Sequence, residues 1–218
     1  MSTNTNNASA APAGEAHLSR VLGPLHLWAL AVGLVALALY GADILHLYRA
    51  RRRPVIELNS RMAVFALASL GLAALLAVVL VAAGLLAGQA GALVFLAAFG
   101  WLSGLGLAKL YKIVAFLTWL ETYGPVLGKA PTPRVQDLVV EPRATLWFGL
   151  YFAAVWLGTA ALLAASPLGF RLCAAAMLAA TAGILAQLVR TRRLADVKAA
   201  MRLPKGAAMP RLFFCGHV

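Results

Sequence analysis

The chain has 218 residues, 62% of them hydrophobic and only 12% charged, and its mean hydropathy is +0.85. Soluble domains carry about 45–50% apolar and about 25% charged residues, so this composition excludes a water-soluble globular protein, a disordered chain and a disulfide scaffold. The 19 basic residues outweigh 7 acidic ones for a net charge of +12. They are gathered into a few loops, a pattern that points to membrane topology and not to a nucleic-acid partner.

Residues 1–16 (MSTNTNNASAAPAGEA) are small and polar, and are expected to form a disordered exterior arm. The apolar run behind them is too long for the core of a cleaved signal peptide. A helix needs roughly 20 apolar residues to cross the hydrocarbon layer. Five stretches qualify within a transmembrane domain at 17–189: Val21–Tyr48, Met62–Leu86, Gly91–Leu120, Ala144–Ala165 and Leu168–Val189. All are rich in Ala and Leu without a central proline, which predicts an all-α bundle of five transmembrane helices. Short exterior connections near Gln89 and at Ser166-Pro167 make the neighbours antiparallel. Segment 121–143, with Pro125, Pro131, Pro133 and Pro142, is the one long connection.

The basic residues orient this bundle. Arg49, Arg51, Arg52, Arg53 and Arg61 follow the first span, Lys129, Arg134 and Arg143 follow the third, and Arg190, Arg192, Arg193, Lys198, Arg202, Lys205 and Arg211 lie in a basic tail at 190–218. With five spans all of these fall on one side, leaving Arg20 and Arg171 opposite. The positive-inside rule then predicts the N-terminus outside and the C-terminus cytoplasmic. Leu194, Val197 and Met201 recur at helical spacing beyond the last span, with Arg192, Arg193, Lys198 and Arg202 on other faces. That pattern predicts a basic amphipathic extension against anionic phospholipid or a protein partner. Arg51, Arg52, Arg53, Arg192 and Arg193 are the expected contacts.

Charges inside a membrane are costly and mark candidate sites. Asp43 and His46 lie three residues apart in the first span, and Lys109 and Lys112 repeat that spacing in the third. A rise of about 1.5 Å per residue puts Lys109 roughly 15 Å above Leu120 and Asp43 about 9 Å above Arg49. The geometry allows an ion pair from Asp43 to either lysine; snorkelling of both lysines is the structural alternative. His26 and His46 are about 30 Å apart along one helix and cannot share a cofactor. Either could serve as a single axial ligand of haem b, its partner coming from elsewhere. Gly100, Gly104 and Ala108 form a ridge of small residues every fourth position, which Lys112 continues. Such ridges seat close helix packing. On this reading, leucine at position 104 blocks association. Cys173 and Cys215 fall on opposite sides and cannot form an intramolecular disulfide. No sequence motif of a soluble enzyme is present.

The stretch LAKLYKIVAFLTWLETYGPVLGKAPTPRVQDLV, Leu107 to Val139, resembles a segment of an uncharacterised family of bacterial multi-pass membrane proteins, with a motif like LYKIVPFLxWLHxYG and a following loop like VPxxxDLL. The run Ile44–Leu70 resembles the preceding helix–loop–helix of that group. The likeness covers the larger part of the chain and corresponds to the C-terminal half of longer relatives. The N-terminal half of those relatives is distantly similar to subunit one of haem–copper oxidases. Lys112, Trp119, Tyr123 and Gly124 match the motif; Ala115 replaces its proline and Glu121 its histidine. The resemblance implies a bacterial inner (cytoplasmic) membrane and a respiratory setting, without supplying a reaction. The expected function is therefore a non-catalytic integral subunit or assembly factor of a larger electron-transfer complex, partnered by other integral membrane subunits. The alternatives are a haem-b redox protein and a small ion or proton transporter using Asp43, His46, Lys109 and Lys112.

Overall fold

The computed structural model describes residues 24–50, 58–128 and 132–197; the side chains at 24–27 and 30 also lie outside the described set. Among the described residues the fold is all-α and contains no strand. Helix α1 is Pro24–Arg49, α2 is Leu58–Ala82 and α3 is Leu86–Phe95. A π-helical segment, Leu96–Ser103, joins α3 without interruption to α4, Gly104–Tyr123. Two short 3₁₀ turns follow, then α5, Glu141–Leu163, and α6, Pro167–Arg192. Counting Leu86–Val126 as one rod of 41 residues, five helices are long and apolar enough to cross a membrane. The chain is thus a multi-pass membrane protein by length and composition of its helices.

Two boundaries differ from expectation, for local backbone reasons. The turn between the second and third spans falls at 83–85, and Gln89 lies inside α3. Gly84 adopts φ +69°, the left-handed conformation that only glycine takes without penalty. Its N–H donates to the Val81 carbonyl and the Leu85 N–H donates to the Leu80 carbonyl, closing a Schellman cap. The fifth span ends in the same way. Leu194 takes φ 53° and the Ala195 N–H reaches back to the Arg190 carbonyl, so the helix stops at Arg192. The amphipathic extension expected from Leu194 and Val197 is therefore not continuous with α6. Met201, Lys198, Arg202 and the rest of the tail lie outside the described residues, as does the arm at 1–16. At its start α6 is capped by Ser166, whose hydroxyl accepts from the Gly169 N–H, with Pro167 in the first turn.

By contacts the chain divides into two units, residues 1–54 with 74–90, and 55–73 with 91–218. In the first, none of the apolar window of α1 within Ala31–Arg49 is buried. The second holds the core. Its most extensive helix pairing is α5 with α6. The buried side of α5 runs through Ala144, Phe148, Tyr151, Phe152, Val155 and Thr159, and α6 answers with Ala180, Ile184, Leu188 and Thr191. Gly183 is a notch for the indole of Trp147, which sits where a Cβ would stand. Side chains with no hydrophobic driving force to bury them in lipid must instead gain by close fit, and a missing Cβ opposite an aromatic ring supplies that fit.

Candidate functional site

Two polar clusters stand out in the second unit. The first surrounds the π-helical segment. Its wide turn lets the Phe99 carbonyl accept from the Gly104 N–H and also, at 2.8 Å, from the Tyr151 hydroxyl of α5. The next residue, Gly100, faces α2, where a Cβ would meet the Ser69 Cβ at 2.8 Å. Ser69 is fully buried; its hydroxyl donates to the Phe65 carbonyl at 2.9 Å and accepts from the Trp156 indole N–H at 2.9 Å. Phe65, Phe152 and Trp156 stack around this junction with ring centroids 5.6–6.3 Å apart. Gly104 faces the Phe152 ring, 2.8 Å from where its Cβ would be. The result is a knot of α2, the π segment and α5 in which these polar atoms have partners inside the chain, as apolar surroundings demand.

The ridge of small residues is thus an internal seam: Gly100 is taken up by Ser69 and Gly104 by Phe152, with Ala108 fully buried on the same face. Leucine at 104 would strike Phe152 within the chain before it reached any partner. The row does not pass through Lys112. It continues through buried Tyr111, Ala115 and Thr118, and Lys109 and Lys112 stand on the exposed side. The ring of Tyr111 meets Phe148 edge-on at 5.9 Å, which sets Lys112 level with Trp147, one turn in from Arg143.

The second polar cluster is at that end. Glu121, near the end of α4, pairs with Arg192 of α6 at 2.8 Å, and the same guanidinium lies 3.5 Å from the Thr118 hydroxyl. Asp196 pairs with Arg190 at 2.6 Å and stands 3.7 Å from Arg143 of α5. The Trp119 indole donates to the Pro133 carbonyl at 2.7 Å, tying the long connection back to α4. Both Glu121 and Arg192 are largely exposed, so their pair is worth about 0–1 kcal/mol and serves as a tether. Arg192 is accordingly engaged within the chain, whereas Arg193 is exposed.

Asp43 and His46 are exposed on α1. Asp43 belongs to the first unit and both lysines to the second. The side chain of His26 and residues Arg51, Arg52 and Arg53 lie outside the described set. Among the described residues no group of three or more His, Cys, Asp or Glu could hold a metal ion. Sequence reasoning missed Ser69, Tyr151 and Trp156; the signal available was polar-capable side chains in otherwise apolar spans, which need partners there. No protein-family model, curated protein or solved structure matches the chain.

Proposed function

We propose that this chain is a non-catalytic integral subunit or assembly factor of a larger complex, set in the bacterial inner membrane and serving electron transfer. The observation that carries this reading is α1, a membrane-length helix whose apolar window buries nothing, whereas each of the other four spans buries part of its own. A surface of that kind is covered either by lipid or by other membrane helices. The polar knot around Ser69 and the π segment supports a structural role, because its hydrogen bonds are used to join helices of this chain. The likeness of Leu107–Val139 to bacterial multi-pass proteins supports the respiratory setting. The basic residues around Arg143, Arg190 and Arg192 support a cytoplasmic C-terminus, with Arg51, Arg52, Arg53 and Arg193 offered to anionic phospholipid or acidic partners.

The test is purification of the tagged protein from its native membrane in mild detergent, with co-purifying proteins quantified. Integral membrane partners in fixed stoichiometry are expected. Recovery of the chain alone, or only with copies of itself, would overturn the subunit reading.

A further inference from the structure

Two buried polar atoms in the second unit have no hydrogen-bond partner among the described residues: the Tyr111 hydroxyl and the Asn59 Oδ1. Tyr111 is 4% exposed and Asn59 8% exposed, so neither reaches bulk solvent through an open surface. They belong to different helices, α4 and α2, but to one layer of the fold. Phe65 stacks on Phe152 and Ser69 bonds Trp156, the same 87-residue offset between α2 and α5 in both cases. That offset sets Asn59 level with position 146 of α5. Tyr111 sits against Phe148, two residues further along. The two residues therefore stand about 3 Å apart in level along the bundle, less than one helical turn. Met62, Ala108, Ala144 and Phe148, all buried, share this part of the core.

An unpaired hydroxyl and an unpaired amide oxygen in apolar surroundings each cost free energy comparable to a lost hydrogen bond, and natural interiors leave very few. The two are chemically complementary to one kind of guest. A phenol hydroxyl donates or accepts and an amide oxygen accepts, which a water molecule can satisfy from either side. The layer lies one turn in from Arg143, close enough to the arginine-rich end for exchange with solvent there. We propose that Asn59 and Tyr111 form an internal hydration site between α2, α4 and α5, filled by water from the arginine-rich end of the bundle. The polar groups deeper in the same unit, Ser69, Tyr151 and Trp156, are bonded to protein atoms and need no such guest.

The test uses the full chain in lipid nanodiscs. Water-edited solid-state NMR on Tyr111 ring carbons should show magnetisation arriving from water on the fast timescale of surface tyrosines, while Phe148 in the same layer fills slowly. Tyr111→Phe keeps the ring and its packing and removes only the hydroxyl. The variant should melt about 2–4 °C lower, because its water loses a partner. Slow build-up at Tyr111, matching Phe148, would overturn the proposal. So would a Tyr111→Phe variant that melts at or above the parent temperature, since deleting a dry, unpaired hydroxyl relieves a cost. A destabilised variant with slow build-up would point to a protein partner for the hydroxyl, and that too rejects the water.

Discussion

Substituting Gly104 with alanine sets two effects of known sign against each other. In a helix the change gains about 1 kcal/mol of propensity. The new Cβ, however, would stand 2.8 and 2.9 Å from two carbons of the Phe152 ring, closer than packed carbons approach. Phe152 is 2% exposed and held by Phe65, Tyr151 and Trp156, so its ring cannot swing away freely. Overpacking of that kind costs about 1–3 kcal/mol. The net expectation is a loss of up to about 2 kcal/mol, which at its upper end lowers the melting temperature by roughly 4–8 °C for a chain of this size. The assay is thermal unfolding of purified protein in nanodiscs, followed by intrinsic tryptophan fluorescence. The decisive arm is a double-mutant cycle with Phe152→Leu, which opens space opposite position 104. A favourable coupling of about 1 kcal/mol or more is expected, because the alanine methyl then fills a cavity that leucine leaves. If Gly104→Ala is stabilising in the parent and the cycle is additive, the assignment of Gly104 to the Phe152 contact fails. A leucine variant at 104 that stays fully stable but loses partner proteins would likewise reject the Phe152 contact.

Two further substitutions probe the same framework. Ala165 ends α5 in the left-handed region at φ 49°, in a cap where the Ser166 N–H bonds the Ala161 carbonyl, so Ala165→Gly should raise the melting temperature by about 2–4 °C. The control Ala164→Gly, at φ −81°, should show no gain; equal effects at both positions would reject the strain argument. Ser69→Ala keeps the Cβ against Gly100 but leaves the Trp156 indole N–H unpaired, an expected loss of about 1–3 kcal/mol. In a Trp156→Phe background the same Ser69→Ala change should cost clearly less, and identical costs in both backgrounds would show that the hydrogen bond contributes nothing.

The membrane character and the five spans were legible from residues alone, because they depend on a sum over some twenty neighbours that no tertiary contact can reverse. Span ends were less legible. The turn at Gly84 rests on one left-handed glycine among several, and nothing in the sequence marks Ala165 or Leu194 as residues that would adopt that conformation. Gly100, Gly104 and Ala108 could be recognised as a packing ridge from their spacing. Their partners could not, since a glycine reads the same whether the ring that fills it comes from α5 or from another protein. Lys112 lies four residues beyond Ala108, yet Tyr111 and Ala115 take the buried row, because a left-handed drift between helical rows and packed neighbours selects the face at each turn. Hydrogen bonds such as Trp156 to Ser69 span 87 residues and exist only once three helices are assembled. Sequence thus determined the solvent in which this protein folds, through apolar content and charge placement. Tertiary structure decided which small residues meet which rings and which polar atoms are paired, since those depend on rotation and depth of one helix against another.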